Sequence, residues 1–295
     1  MRRKRVYCLG SINVDYFYRV PHLVRPGETL AAVSLDRELG GKGANQSIAA
    51  ARAGSEVHHI GSIGNDGHWL IGMLEKNNVW TKHVQVSSSA STGHAIITVE
   101  KSGENQIVLF PGANRDQSME NVTDALGNAK PGDWLLMQNE TTKQLEVARS
   151  ARKIGMDVAY SAAPFDVDAV LSLFPFLTLL IMNEIEAEQM SNFSGMSLED
   201  IPVPYVMVTR GARGGIWIDT KRQRKESVAA FSARAVDTTG AGDTFAGYLV
   251  AGLSGNLSIK NALSRAMAAA AIQVTRKGAS EAIPMADEVV EFMNQ

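Results

Sequence analysis

Cysteine, net charge and long apolar runs are all scarce in this chain of 295 residues. Cys8 is its single cysteine, so no internal disulfide can form, and we expect the thiol to be a small buried core group. The formal net charge of −2 offers no electrostatic surface for nucleic acid. No stretch reaches the roughly 18 apolar residues that a membrane-spanning helix needs. These absences favour a cytoplasmic protein without nucleic-acid or membrane partners.

The beginning of the chain is basic and reads Met1-Arg2-Arg3-Lys4-Arg5. The apolar run behind it covers only residues 6–9, which is too short for the apolar core of a signal peptide. We therefore interpret the basic segment as a solvated tail. The composition, 45% hydrophobic and 20% charged, is ordinary for a soluble globular protein. The length predicts one large domain, or one domain with a small appendage.

Apolar segments alternate with helical patterns over most of the chain, which is typical of a parallel sheet covered by helices on both faces. The predicted strands of this kind are residues 6–9, 57–63, 134–138, 157–161 and 177–182, and residues 205–209 and 216–219 are strands of a later hairpin region. The predicted helices are residues 43–53, 119–128, 141–154 and 184–190, a helix capped by Asp66 that runs to about residue 77, and a mostly helical end from residue 242.

A second group of predicted strands is more polar and lacks crossover helices. Its members are residues 16–20, 29–39, 92–100 and 106–110, of which the last two form a hairpin. These strands predict a separate small sheet.

The segment Asp237-Thr238-Thr239-Gly240-Ala241-Gly242-Asp243 joins an apolar run to a predicted helix. Its glycines allow a tight turn, and the free N–H groups of a helix start converge on such a turn. The segment therefore predicts an anion site, most commonly one for phosphate. A carboxylate is unexpected there, and Asp243 is either a helix cap or a base that takes a proton from an attacking hydroxyl.

Several other polar residues follow predicted strands, at the edge of the sheet where ligands of open α/β folds bind. They are Asn13, Asp15, Glu140, Asn183 and Glu186. Each has a structural alternative as a turn residue, a helix cap or a first-turn acid. Lys42 in Gly40-Gly41-Lys42-Gly43 is followed by glycine rather than serine or threonine, so the Walker A pattern fails, and the lysine could equally be a solvated residue at a helix start.

Four stretches, taken together, resemble the ribokinase family of carbohydrate kinases in order and spacing. They are the segment 237–247, the glycine-rich segment 40–46, residues 10–15 and residues 274–279. The resemblance covers essentially the whole chain. It implies a three-layer α/β/α sandwich with a small β-sheet lid, formed by a single domain over residues 1–295 into which the lid segments, about 12–39 and 92–110, are inserted.

The activity that the resemblance implies is ATP-dependent phosphorylation of the primary hydroxyl of a small sugar, with D-ribose converted to ribose 5-phosphate as the leading reaction. Asp243 would be the base, and the amides of Gly240, Ala241 and Gly242 would stabilise the transferring phosphoryl group. The alternatives are a kinase for another sugar or a nucleoside, and a non-catalytic regulator that binds sugar or nucleotide. The family also implies a homodimer joined through the lid.

The family's binding residues fall on defined positions of this sequence. The implied sugar contacts are Asn13, Asp15, Gly40, Gly41, Lys42, Asn45, Glu140 and Asp243. The implied ATP contacts are Asn183, Thr209, Gly211, Gly214 and Gly242, and Glu186 would hold Mg²⁺ through water. The region 191–204 is shorter than the family pattern and carries Pro202 and Pro204, so we expect a short loop there.

The family further implies a K⁺ site beside the anion-binding turn. The matching residues are Asp237, Thr239, Gln273, Arg276, Gly278 and Ala282. Most would act through backbone carbonyls, and Asp237 would supply negative charge. Ala282 lacks the hydroxyl that a serine would offer at this place, so we expect K⁺ activation with a weakened affinity.

Overall fold

The computed structural model describes residues 4–294, so the first part of the basic segment, residues 1–3, lies outside the described residues. The strands are β1 (Arg5–Leu9), β2 (Asn13–Arg19), β3 (Ser34–Gly40), β4 (Glu56–Gly64), β5 (Val79–Ser87), β6 (Gly93–Val99), β7 (Asn105–Phe110), β8 (Trp134–Gln138), β9 (Asp157–Ser161), β10 (Leu179–Asn183), β11 (Tyr205–Thr209), β12 (Gly215–Asp219) and β13 (Arg224–Val228). The α-helices are α1 (Lys42–Arg52), α2 (His68–Lys76), α3 (Met119–Leu126), α4 (Gln144–Ile154), α5 (Val167–Leu173), α6 (Glu184–Ser194), α7 (Ala241–Ser254), α8 (Ile259–Gln273) and α9 (Ala286–Met293). None of these helices is long and apolar enough to cross a membrane.

The main sheet has nine strands in the order β13-β12-β11-β10-β9-β8-β1-β4-β5. All neighbours from β11 through to β5 run parallel, whereas β12 and β13 form an antiparallel extension at one edge. The parallel part confirms the sheet that the sequence pattern predicts. It also brings the carboxyl ends of β1, β8, β10 and β11 to one edge, where the predicted polar residues follow.

Strand β1 shows how the sheet separates two cores. Val6 and Cys8 face the core that is packed by α1, α2, α7, α8 and α9. Tyr7 and Leu9 face the opposite core, which is packed by α3, α4, α5 and α6. All four side chains are buried, because alternate residues of a strand point to opposite faces. The predicted α/β/α sandwich is therefore confirmed, and Cys8 is a core residue as expected.

The second sheet has the order β3-β2-β6-β7 and is called the small sheet below. Its central strands β2 and β6 are parallel, and its outer pairs are antiparallel. Asn13 at the start of β2 is in register with Gly40 on one side and Gly93 on the other. Apolar side chains of β7 are exposed, including Ile107 at 59% and Val108 at 67%.

Several local predictions need correction. Strands β5 and β13 and helix α5 were not predicted: β5 and β13 are the edge strands of the main sheet, and outward side chains such as the exposed Trp80 interrupt the apolar pattern of β5. Strand β3 begins at Ser34 rather than at residue 29. Asp66 does not cap α2, because its carboxylate accepts hydrogen bonds from the backbone N–H and the hydroxyl of Thr92. Helix α6 extends to Ser194 and ends at Gly195 in the left-handed conformation, so less of the region 191–204 is loop than expected.

Candidate active site

The start of α7 forms the predicted turn. Gly240 has φ 73°, a left-handed conformation that glycine adopts without steric cost, and no side chain caps the helix that follows. The first N–H groups of a helix have no acceptor within the helix and carry the positive end of its dipole. This turn, which leads into Gly242 and Asp243, is therefore suited to bind a phosphoryl group.

Asp243 lies in the first turn of α7 but does not cap the helix. Its Oδ1 accepts a hydrogen bond of 2.9 Å from Gln46 Nε2, and its Oδ2 accepts one of 3.1 Å from Asn45 Nδ2. Burial raises the pKa of Asp243, while the cationic Lys42 opposes that shift. The geometry thus disfavours the capping alternative and presents a carboxylate of raised basicity beside the anion-binding turn.

Gln46 is a positioning residue that the sequence reasoning did not assign, although it lies within the glycine-rich motif. Its Oε1 accepts a hydrogen bond of 2.8 Å from Gln138 Nε2, at the end of β8. This contact fixes the orientation of the Gln46 amide, so that its NH₂ group faces Asp243. Gln46 and Gln138 are both fully buried, which holds the chain of contacts in place.

Lys42 and Glu140 form an ion pair, with 3.7 Å between Nζ and Oε1. Glu140 Oε2 also accepts hydrogen bonds from the Ser11 hydroxyl and from the backbone N–H of Lys42, the latter at 3.2 Å. Burial acts to lower the pKa of Lys42, but Asp243 and Glu140 outweigh it and raise the pKa, so the lysine stays cationic. Lys42 therefore lies between carboxylates of the site rather than in open solvent.

Asn13 is oriented by a residue far along the chain. Its Oδ1 accepts a hydrogen bond of 2.7 Å from Asn114 Nδ2, and Asn114 Oδ1 in turn accepts one of 2.9 Å from the backbone N–H of Ile12. Both asparagines are buried. Asn114 lies in the short 3₁₀ turn Gly112–Arg115 after β7, where no periodic pattern could have predicted its role.

Asp15 lies against Gly40, where a Cβ atom would stand 2.0 Å from Asp15 Oδ2. The close approach therefore requires glycine. Burial raises the pKa of Asp15 to about 7, with Glu140 and Glu38 adding to the shift and Lys42 opposing it. The neighbouring Gly41 has φ 92°, which turns the chain from β3 into α1.

Asn45 completes the polar pocket. Its NH₂ group donates to Asp243, and its buried Oδ1 has no partner among the described residues. A buried acceptor without a donor is costly, so a ligand donor such as a hydroxyl fits this position. The pocket between the small sheet and α7 is thus lined by amide and carboxylate groups suited to a polyhydroxyl compound.

A cleft of about 160 Å³ continues from Asp243 along the ends of β9, β10 and β11. Its lining includes Lys42, Asn183, Glu186, Thr209 and Gly242. Asn183 and Glu186 form a reciprocal capping box at the start of α6, with hydrogen bonds of 2.9 and 2.7 Å. Asn183 and Glu186 therefore cap α6 and line the cleft at the same time.

The loop after β11 holds Gly211 and Gly214, both with positive φ. A Cβ atom on Gly214 would lie 2.0 Å from the Val228 carbonyl oxygen, so glycine is needed there. Arg213 forms an ion pair with Glu184 at the surface. Thr209 at the end of β11 lines the cleft, whereas the predicted contacts Gly211 and Gly214 are not part of its lining.

The predicted K⁺ site is occupied by a side chain. Gln273 was expected to act through its carbonyl, but its side-chain Nε2 lies 3.0 Å from the Thr239 carbonyl oxygen and 3.2 Å from that of Gly278. Both carbonyls were expected to bind the cation. Since an N–H donor repels a cation, these residues do not fit a bound K⁺, and no step below depends on one.

A carboxylate that can deprotonate a hydroxyl, placed beside an uncapped helix start that can hold a phosphoryl group, is the arrangement that phosphoryl transfer to an alcohol requires. The fold and the site together define a phosphotransferase with an alcohol acceptor. The chain belongs to the pfkB family of carbohydrate kinases, whose model matches residues 3–286.

Named relatives and solved structures extend this comparison. The chain is 38% identical to a ribokinase of Haemophilus influenzae over 304 aligned positions, which cover 99% of both chains. It superimposes on the crystal structure of a ribokinase from Thermotoga maritima with a TM-score of 0.89, at 32% identity over 99% of this chain and 100% of the other. It superimposes on an Arabidopsis thaliana ribokinase complexed with ribose and ATP with a TM-score of 0.88, at 26% identity over 100% of both chains.

Proposed function

We propose that this protein is an ATP-dependent kinase that converts D-ribose to ribose 5-phosphate. The observation that carries the proposal is the position of Asp243 in the first turn of α7, where Asn45 and Gln46 hold its carboxylate beside the polar pocket. The similarity to ribokinases over the full length of the chain supports ribose as the acceptor.

In the proposed reaction, Asp243 accepts the proton of the sugar's primary hydroxyl. The oxygen then forms a bond to the γ-phosphorus of ATP, while the bond from that phosphorus to the β–γ bridging oxygen breaks and ADP leaves. The amides of Gly240, Ala241 and Gly242 stabilise the charge on the transferring group, as preorganised donors do. Lys42 adds a fixed positive charge on the same side.

Sugar recognition falls to the amide and carboxylate groups of Asn13, Asp15, Asn45 and Glu140. A pocket of buried hydrogen-bonding groups discriminates against analogues that leave one of them unpaired. Gly40 and Gly41 allow the backbone to approach the ring. This arrangement supports a compact polyhydroxyl substrate.

The nucleotide would lie along the cleft lined by Asn183, Thr209 and Gly242, and would have to extend beyond it to reach Gly211 and Gly214. Mg²⁺ bound with ATP would neutralise phosphate charge, and Glu186 is the residue that would hold it through water. Burial raises the pKa of Glu186, with hydrogen bonding from Asn183 opposing the shift. Because three or more metal-binding side chains do not cluster anywhere within residues 4–294, most ligands of Mg²⁺ would be phosphate oxygens and water.

The small sheet serves in this proposal as the lid over the sugar, within a single domain. Its exposed apolar residues on β7, among them Ile107, Val108 and Phe110, support a homodimer formed through this sheet, since such patches are usually covered. The requirement for ATP supports a cytoplasmic location for the proposed kinase.

A coupled assay of ADP release over a panel of acceptors tests the function. We expect D-ribose to give the highest kcat/KM, ahead of 2-deoxyribose, fructose and nucleosides. A higher kcat/KM for fructose or a nucleoside would contradict ribose as the substrate and leave only the assignment to the kinase class. An absence of turnover with every acceptor, together with sugar binding in calorimetry, would instead identify a binding regulator.

A further inference from the structure

Gln273 ends helix α8, and its side chain is completely buried. Its Nε2 is 3.0 Å from the carbonyl oxygen of Thr239, 3.2 Å from that of Gly278 and 3.0 Å from that of Ala279. Its Oε1 is 3.3 Å from the Thr244 hydroxyl, which donates to it. Carbonyls only accept, so a single orientation of the amide satisfies all four contacts. The NH₂ edge therefore points between the two loops.

This NH₂ group takes the place that a cation would need. A cation between the loops would have to be coordinated by carbonyl oxygens of Thr239 and Gly278, and both already face the positive edge of the amide. The Gln273 carbonyl itself accepts a hydrogen bond of 3.1 Å from the Arg276 N–H. Ala282 provides no side-chain oxygen. The oxygen atoms that would coordinate a cation thus largely accept hydrogen bonds from N–H groups already.

Asp237 is likewise engaged in joining the same two loops. Its Oδ1 accepts hydrogen bonds from the N–H of Thr239, at 2.9 Å, and from the Thr239 hydroxyl, at 2.7 Å. Its Oδ2 accepts one of 3.1 Å from the Gly278 N–H. The carboxylate is therefore stabilised without a bound cation.

We infer that the Gln273 side-chain amide stands in for a monovalent cation. It joins loop 237–240 to loop 276–279 and so holds the anion-binding turn that begins α7, which makes the protein independent of K⁺. The effect on turnover rests on the proposed kinase function. The effect on the stability of the loops does not, because it needs neither sugar nor nucleotide.

Thermal melting in KCl, NaCl and choline chloride at equal ionic strength tests the inference without substrates. We expect the wild-type chain to melt at the same temperature in all three salts. Gln273→Ala removes the amide and frees the carbonyls, so it should melt lower in choline and recover by at least ~2 °C in K⁺, as expected for a ligand that binds only the folded state. A K⁺-dependent rise in the wild-type melting temperature would overturn the inference, as would a Gln273→Ala variant that is indifferent to the salt.

Three further variants keep the test decisive. Ala282→Ser adds a hydroxyl but leaves Gln273 in place, so it should remain indifferent to K⁺, whereas the double variant with Gln273→Ala should respond more strongly than Gln273→Ala alone. If Gln273→Ala does not fold, the nearly isosteric Gln273→Glu replaces the donor with a carboxylate and should be stabilised by K⁺. A K⁺ response of Ala282→Ser, or a Gln273→Glu variant without one, would contradict the role given to the amide.

Turnover gives a second measurement once an acceptor is established. The kcat/KM of the wild type should be the same in the three salts. That of Gln273→Ala should fall by about tenfold to a hundredfold in choline and be restored by K⁺, because the amides of the anion-binding turn lose their fixed direction. Failure of ribose as a substrate would affect this measurement alone and leave the melting result intact.

Discussion

The buried carboxyl of Asp15 allows a prediction that links the sugar pocket to stability. Only 9% of Asp15 is exposed, and burial raises its pKa to about 7. In the unfolded chain the same group titrates near 3.8. Between these values the folded state binds more protons than the unfolded state, so this group lowers the free energy of unfolding as pH rises.

The magnitude follows from the two pKa values. A difference of about 3 units corresponds to about 4 kcal/mol of lost stability once the pH exceeds both values. About a third of this loss is already present at pH 5, and nearly all of it at pH 8. Asp15→Asn keeps the shape of the side chain but cannot ionise. Its stability relative to the wild type should therefore increase by about 2–3 kcal/mol between pH 5 and pH 8.

Urea unfolding of both proteins without sugar, at several pH values from 5 to 8, measures this difference. Comparison with the wild type cancels the titration of other groups. Asp168→Asn is the matched control for the loss of one carboxylate, because Asp168 is an exposed residue of α5. A constant difference between Asp15→Asn and the wild type would show that Asp15 is ionised in the folded protein across this range, and would refute the reasoning.

Other consequences can be measured directly. Asp243→Asn should lower kcat by about 10² to 10⁴, the range for a lost general base, with sugar binding in calorimetry retained, and near-normal turnover would rule out Asp243 as the base. Asn114→Ala should weaken ribose binding by about tenfold, because Asn13 loses the partner that orients it, and should leave kcat much less affected. Light scattering should show a dimer that Val108→Lys dissociates; a monomeric wild type would reject the interface. The kcat/KM for 2-deoxyribose should be well below that for ribose, and equal values would remove the 2-hydroxyl from recognition.

Local sequence patterns predicted the parts of the fold and site that depend on local chemistry. The apolar strands of the parallel sheet and the turn before Asp243 carry their signals within a few residues. Glu140 could be placed at the sheet edge because it follows a strand directly. Strand β5 escaped prediction, since an edge strand mixes exposed and buried positions less regularly.

Roles that arise from distant contacts could not be predicted in this way. Asn114 reaches Asn13 across 101 positions of the sequence, and Gln138 reaches Gln46 across 92. Nothing near Gln273 indicates that its side chain, rather than its backbone, faces the anion-binding turn. Only the packing of α8 against α7 brings its amide to the three carbonyls.

The parallel pairing of β2 with β6 has a consequence for the order in which the protein folds. Asn13 pairs with Gly93, and the chain between them forms strands β4 and β5 of the main sheet and helices α1 and α2, which pack on that sheet. The pairing of β2 with β6 is therefore a contact between residues far apart in the sequence. The entropy lost in closing this loop is compensated only after β4, β5 and their helices have assembled. We expect the sugar pocket to be among the last parts to form, and a nascent chain that has not emerged beyond β6 cannot bind the sugar.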